Sequence, residues 1–165
     1  MKRFLLLIAA TLTFSAASAQ DSKVTFNDLP ADAINFVREH FLVDHIASVW
    51  KDTDYNDEEY TVIFRDGLEI EFNGNGDWKE LKARHGKVPD HVVPEKILAH
   101  VRATFPFESI KEVSRNLTKK RYEAELTDDQ ELKFDENFNF IDSAKRPLIT
   151  ISNSLGMDNT GYRTA

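Results

Sequence analysis

Apolar residues recur at helical spacing in two segments of the chain, and each segment begins at a proline. The first stripe follows Pro30 and comprises Ala33, Ile34, Val37 and Phe41. The second follows Pro94 and comprises Ile97, Leu98, Val101 and Phe105. Proline suits the first turn of a helix, because the amide that it lacks would have no partner there. The pattern predicts two amphipathic helices, each with one face on a core and one in water.

Behind each helix the apolar pattern changes to the alternation of half-buried β-strands. Alternation on both sides of Asp66-Gly67, with Tyr60 to Phe64 before the pair and Leu68 to Phe72 after it, predicts a tight hairpin. A second hairpin is predicted around Asp128-Asp129, with a longer loop because Asp129 replaces the glycine. Shorter strands are predicted near residues 46–50 and 110–113 before the hairpins, and near 77–81 and 139–142 after them.

The two halves of this pattern match each other at offsets of 64 and then 62 residues. The matched pairs are Pro30 and Pro94, Phe41 and Phe105, Ile46 and Ile110, Val49 and Val113, Tyr60 and Tyr122, Ile70 and Leu132, Phe72 and Phe134, and Trp78 and Phe140. We therefore expect a tandem duplication with units at 27–83 and 91–143. Each unit is expected to pack one helix on a four-stranded antiparallel sheet, an α+β arrangement. Units this small are expected to share an interface or a continuous sheet.

The first 19 residues follow the pattern of a secretory signal peptide. Lys2 and Arg3 precede an apolar stretch, and Ala17-Ser18-Ala19 precedes Gln20. The apolar run is shorter than the roughly 20 residues that a membrane-spanning helix needs. We expect cleavage near Ala19 and a periplasmic or secreted product without membrane insertion.

The composition narrows the classes of function. The chain has 165 residues, no cysteine, 21 basic side chains and 28 acidic ones. Without cysteine there is no disulfide and no thiolate chemistry. Loss of Lys2 and Arg3 with the leader would leave 19 basic residues and a net charge of −9. This charge disfavours nucleic acid as a partner and favours cations or basic protein surfaces.

Together these residues resemble a known family. The carrying features are His40-Phe41 at the end of the first helix, Tyr60-Thr61-Val62, Asp66-Gly67 followed by Glu69-Ile70-Glu71-Phe72, and Gly76 with Trp78. A weaker version runs from Val93-Pro94 to Glu131-Leu132-Lys133-Phe134-Asp135. This looks like the PepSY-like proteins, also described as β-lactamase-inhibitor-like, which bacteria export. The resemblance covers nearly all of residues 27–142. It implies a fold similar to that of the β-lactamase inhibitor protein, with a protein-binding role and no catalytic residues.

No arrangement typical of an enzyme occurs in the sequence. The histidines are His40, His45, His85, His91 and His100, and none is four residues from another, the spacing that puts two imidazoles on one helix face for zinc. There is no nucleophile elbow, phosphate-binding glycine loop or dinucleotide fingerprint. We therefore expect a protein that is not an enzyme and has no cofactor.

The acidic segment 52–59 is the one candidate for a cation. Asp52, Asp54 and Asn56 place oxygen ligands at alternate positions, as at the start of a calcium-binding EF-hand loop. The sixth position is Asp57 rather than glycine and the twelfth is Ile63 rather than glutamate, so the motif is incomplete. A solvated acidic hairpin tip is the other interpretation of the same residues.

The outward positions of the predicted strands form a second candidate site. They comprise Ile63, Glu69, Glu71, Glu123, Glu125, Glu131 and Lys133, with Arg65 beside them. We expect these side chains to project into water from the face opposite the helices, as a broad acidic surface for a protein partner. The leading hypothesis is an exported, non-enzymatic binding module, an inhibitor of an envelope or secreted enzyme. The alternative is a periplasmic protein that binds a cation or small ligand. The tail at 144–165 is expected to lie outside both units, with an edge strand near 147–151.

Overall fold

A computed structural model describes residues 21–54 and 57–145 of the chain. The elements are, in order, β1 (Ser22–Val24), α1 (Ala31–His40), β2 (Ile46–Asp54), β3 (Asp57–Phe64), β4 (Leu68–Asn73), β5 (Trp78–Ala83), α2 (Glu95–Thr104), β6 (Ile110–Asn116), β7 (Arg121–Leu126), β8 (Gln130–Phe134) and β9 (Phe140–Lys145). Short 3₁₀ turns precede both helices. The predicted leader, its cleavage site and the predicted edge strand at 147–151 lie outside the described residues.

The described strands form a single antiparallel sheet in chain order, from β1 to β9. The α+β class and both helices are confirmed, but the sheet is larger than the predicted four strands. Leu81 of β5 lies opposite Val113 of β6, so the strands that follow α1 continue into those that follow α2. The sequence pattern also missed β1, which pairs with one edge of β2.

Both helices cover the same face of this sheet. An apolar row crosses it laterally through Val49, Val62, Ile70, Leu81, Val113, Ala124 and Leu132. Val37 of α1 and Ile97 of α2 are buried in the same core. The helical prolines take the N-cap position, just before the first helical residue. One continuous core therefore leaves the opposite face of the sheet without a cover from the described helices.

The acidic segment 52–59 is part of a long hairpin rather than a loop. β2 extends to Asp54 and β3 begins at Asp57, and these two residues lie opposite each other. Lys51 Nζ contacts Glu58 Oε1 at 2.6 Å and lies 5.5 Å from the centre of the Tyr60 ring. These cross-strand contacts extend the pairing beyond the apolar positions. The predicted loop was therefore wrong.

The predicted longer loop at Asp128-Asp129 was also wrong. The turn between β7 and β8 has three residues, 127–129, like the turn at 65–67 between β3 and β4. Gly67 has a φ of +88° and Asp129 has a φ of +66°. Aspartate tolerates the left-handed conformation better than most residues, because its short side chain bonds locally to the backbone. A contact between Lys111 and Asp129 also holds the turn.

Candidate functional site

The uncovered face of the sheet carries the polar half of the alternation. One lateral row runs through Trp50, Thr61, Glu71, Glu80, Ser114, Glu123, Lys133 and Asp142. The adjacent row runs through Ser48, Ile63, Glu69, Lys82, Glu112, Glu125 and Glu131. We call these two rows the acidic face. They contain eight carboxylates and two lysines, so the charge of the face is strongly negative.

The structure brings the predicted sheet-face residues together, with one exception. Ile63, Glu69, Glu71, Glu123, Glu125, Glu131 and Lys133 all lie in the two rows. Arg65 lies in the exposed turn after β3 rather than on a strand. Sequence reasoning missed Glu80, Lys82 and Glu112. Their alternation was visible, but the pairing of β5 with β6 that joins them to the other residues has no local signal.

The carboxylates of this face are less exposed than predicted. Glu125 is only 6% exposed, and the side chains of Glu69 and Glu112 are 16% and 15% exposed. Directly opposed residues of an antiparallel sheet have Cβ atoms about 5 Å apart, so long side chains in adjacent rows cover one another. The prediction of a fully wet face was therefore wrong.

A few cations offset this charge at short range. Lys82 Nζ lies 2.7 Å from Glu112 Oε2 and 3.8 Å from Glu80 Oε1. Arg84 Nε lies 2.5 Å from Glu69 Oε1, and Lys111 Nζ lies 3.2 Å from Glu125 Oε1. The cations thus hold part of the face, while Glu71 and Glu80 lie directly opposite each other as two like charges.

Two pKa values record the crowding at the centre of the face. Burial, together with the neighbouring Glu112 and Glu71 carboxylates, raises the pKa of Glu80 to about 7. Burial also raises the pKa of Glu71, and Glu59 adds to the shift, while Lys79 and Lys82 oppose it. Near neutral pH the acidic face therefore holds a proton that a cationic partner could displace.

The first four strands of this face form a concavity of about 420 Å³. Its lining residues are Asp21, Trp50, Asp52, Glu59, Thr61, Ile63, Glu69, Glu71 and Arg84. Trp50 is 38% exposed. The Oδ1 atom of Asp52 is buried and has no hydrogen-bond partner within the described ranges. An aromatic ring beside several carboxylates suits a cationic side chain, which could lie over the ring and pair with the acids.

The predicted calcium ligands do not come together as a cage. Asp52 lines the concavity, Asp54 ends β2, and Asn56 lies outside the described residues. Among residues 21–54 and 57–145 there is no group of three or more His, Asp or Glu side chains placed to hold a metal ion. A calcium site would need at least six oxygen ligands.

Three of the histidines take part in packing rather than in an acid–base pair. The His91 ring lies beside His40, with its Nε2 atom 3.1 Å from the backbone oxygen of that residue. His100 stacks on Phe140 at 4.6 Å and meets the edge of Phe134 at 5.6 Å. These contacts give the rings structural roles.

The fold and its acidic face define an α+β protein of a bacterial exported family. A family described as "Putative beta-lactamase-inhibitor-like, PepSY-like" matches residues 58–142, from β3 into β9. This covers more than half of the chain. The chain therefore belongs to the PepSY-like, β-lactamase-inhibitor-like family.

Solved structures from Bacteroides agree with this assignment. A "putative periplasmic protein from DUF2874 family" of Bacteroides vulgatus ATCC 8482 is 35% identical, with a TM-score of 0.67, over 75% of this chain and 96% of that one. A "putative calcium-regulated periplasmic protein" of Bacteroides thetaiotaomicron is 33% identical, with a TM-score of 0.69 and the same coverage. Another "putative periplasmic protein of unknown function" of B. vulgatus is 27% identical, with a TM-score of 0.67, over 76% of this chain and 99% of that one.

Two comparisons are negative. No curated protein matches the chain. Within the described ranges, none of the helices has the length and apolar character that crossing a membrane requires.

Proposed function

We propose that this chain is an exported, non-enzymatic binding module that holds a basic surface of another protein on its acidic face. Inhibition of an envelope or secreted enzyme is the role that we assign to this binding. The observation that carries the proposal is the continuous acidic face itself, with eight carboxylates and two lysines in its two central rows. Complementary charge at this scale orients a partner and speeds its association.

The half-buried state of the carboxylates favours binding over simple solvation. Glu69, Glu112 and Glu125 have already lost much of their contact with water. A basic partner would therefore remove little further hydration from them, while gaining interactions strengthened by the lower local dielectric. The side chains stand on paired strands, so they are also held in place before the partner arrives.

The site of action is the periplasm or the exterior. The N-terminal pattern up to Ala19 is that of an exported precursor. The three similar structures are described as periplasmic proteins. The family description supplies the inhibitor hypothesis.

Affinity capture from the native envelope tests the proposal. The mature chain is compared with a variant in which Glu69, Glu71 and Glu123 are changed to lysine. The reversal is expected to abolish capture of the specific partner, and wild-type capture is expected to weaken as salt rises. A second variant with the same three residues changed to glutamine removes charge with little change of shape, and it should weaken capture at intact fold.

The matched control reverses charges on the helix side. Glu39 of α1 and Asp44 are exposed and lie away from the acidic face. Changing both to lysine alters the net charge by four, and this variant should keep the partner. Capture that survives the sheet-face reversal, or is lost in the helix-side control, would contradict the proposal.

We also propose that the two halves descend from one duplicated unit. The turns at 73–77 and 135–139 support this, because they make the same hydrogen bonds 62 residues apart. The side-chain oxygen of Asn73 accepts from the amides of Asn75 and Asp77. In the later turn, the carboxylate of Asp135 accepts from the amides 137 and 139. An alignment of homologues in which the halves covary as a repeat would test this.

A cation-binding role is the alternative proposal. It is supported by the partnerless Oδ1 atom of Asp52 and by the "calcium-regulated" description of the B. thetaiotaomicron neighbour. The described residues supply no cage, so we rank this role second. Thermal melts with calcium and with chelator decide the matter. A rise of several degrees with calcium that is lost in Asp52→Asn would favour the alternative, and unchanged melts would exclude it.

A further inference from the structure

The helix side of the sheet carries a second concavity, away from the acidic face. It has a volume of about 650 Å³ and lies between the end of α1, the start of α2 and the turn between β8 and β9. Its aromatic and cationic lining residues are Trp78, Arg115, Tyr122, Phe138 and Lys96. Ligand pockets typically enclose about 300 to 1,000 Å³ and combine apolar walls with a few placed polar groups.

Three aromatic rings form a continuous apolar surface in this pocket. The Trp78 and Tyr122 ring centres are 6.3 Å apart, and those of Tyr122 and Phe138 are 4.6 Å apart. Phe138 has a φ of +62°, which is strained for a bulky residue. The similar turn at 73–77 has Gly76 at the corresponding position, with a φ of +90°. The chain thus keeps a strained aromatic residue at the wall of the pocket.

The cations of the pocket are fixed rather than mobile. Arg115 Nε donates to the backbone oxygen of Trp78, and its Nη2 lies 3.3 Å from Asp77 Oδ1. The guanidinium carbon lies 4.6 Å above the Trp78 ring, and the side chain is 18% exposed. Lys96 Nζ donates to the backbone oxygen of Asn137 at 3.1 Å. Both groups keep further N–H donors for a ligand.

The carboxylates of the pocket lie at its exposed side. Glu95 and Glu136 are exposed, whereas Arg115 is largely covered. Lys120 Nζ lies 3.4 Å from Glu136 Oε2 and partly offsets its charge. The covered part of the pocket is therefore cationic. A cationic ligand is disfavoured, because Arg115 already occupies the face of Trp78.

We propose that this pocket binds a small organic carboxylate with a planar apolar body. The aromatic surface of Trp78, Tyr122 and Phe138 would hold the apolar body, and Arg115 and Lys96 would hold the carboxylate. Guanidinium and ammonium groups bind carboxylates through charge-assisted hydrogen bonds. This inference is independent of the acidic face, so either proposal can fail without the other.

Binding of 3-phenylpropionate to the mature protein tests the proposal. The chain has two tryptophans, so a Trp50→Phe variant leaves Trp78 as the single fluorescent reporter. We expect a saturable change of Trp78 fluorescence on titration. The uncharged 3-phenylpropionamide should bind at least about tenfold more weakly, since it loses charged hydrogen bonds.

Variants assign the binding to this pocket. Arg115→Met and Lys96→Met should each weaken binding of 3-phenylpropionate, the former by at least about tenfold, while Arg115→Lys should recover part of the loss. Arg102→Met is the matched control, because Arg102 lies on α2 but outside the pocket, where it contacts Asp90. Circular dichroism checks that each variant is folded. No saturation at millimolar ligand, equal binding of the amide, or wild-type affinity in both pocket variants would overturn the proposal.

The same chemistry could come from a free acid or from the C-terminal residue of a peptide. The tripeptide Gly-Gly-Phe with a free carboxylate separates these sources. Affinity equal to or above that of 3-phenylpropionate would indicate a peptide terminus. Weaker affinity would indicate a free acid.

Discussion

Replacing Glu80 by glutamine is expected to stabilise the protein in a pH-dependent way. Glu80 lies at the centre of the acidic face, where burial and the Glu112 and Glu71 carboxylates raise its pKa from 4.5 to about 7. A raised pKa means that the folded state binds the proton more tightly than the unfolded state. The stability that Glu80 supplies is therefore complete below pH 4.5 and is lost as the pH rises through 7.

The magnitude follows from the shift. Each unit of pKa difference corresponds to about 1.4 kcal/mol, so the undamped effect is about 3 kcal/mol. The Glu80 side chain keeps 27% of its exposure, and Lys82 lies 3.8 Å away. Solvent and this lysine reduce the effect, and we expect about 1 kcal/mol. Glu80→Gln, which cannot ionise, should exceed the wild type by this amount at pH 8 and match it near pH 5.

Urea unfolding at the two pH values measures the difference. Taking the variant relative to the wild type at each pH cancels the titration of distant groups. Glu39→Gln on the exposed side of α1 is the matched control, and it should change stability by less than about 0.5 kcal/mol at both values. If Glu80→Gln gave the same stability change at pH 5 and pH 8, or stabilised only at pH 5, the reasoning about this face would be refuted.

Three further substitutions test the packing, each by urea unfolding at pH 7. Gly76→Ala should destabilise by at least about 2 kcal/mol, because φ is +90° and a Cβ would lie 2.8 Å from the backbone nitrogen of Ala33; wild-type stability would contradict this close approach. Phe72→Ala should cost about 3 to 5 kcal/mol, because the side chain is fully buried; a loss under about 1 kcal/mol would place it outside the core. Lys51→Ala should cost less than about 1 kcal/mol, since its partner Glu58 is exposed; a larger loss would show that the hairpin depends on this pair.

Much of the fold could be predicted because its signals are local. The apolar spacing after Pro30 and Pro94 defined both helices, and the alternation around Asp66-Gly67 defined the first hairpin. The extension of β2 and β3 could not be predicted, because it depends on cross-strand pairs such as Lys51 with Glu58. Strand β1 was missed for a similar reason, since three residues carry no measurable periodicity.

The candidate sites needed contacts between distant segments. Alternation placed Glu69 and Glu71 on the polar face, but their crowding depends on strands β5 and β6 meeting. The aromatic pocket is assembled from β5, β6, β7, α2 and the turn at 135–139. No spacing in the sequence relates Trp78 to Arg115 or Phe138. Such sites follow from tertiary structure alone.

Carboxylate footprinting tests most directly whether the acidic face is the binding surface. The mature chain is labelled at its carboxyl groups by carbodiimide and an amine, alone and with its captured envelope partner, and each site is read by mass spectrometry. We expect the partner to protect Glu69, Glu71 and Glu123 while Glu39 and Asp44 label equally in both states. Protection of Glu39 and Asp44, with unchanged labelling of the three sheet-face residues, would contradict the account.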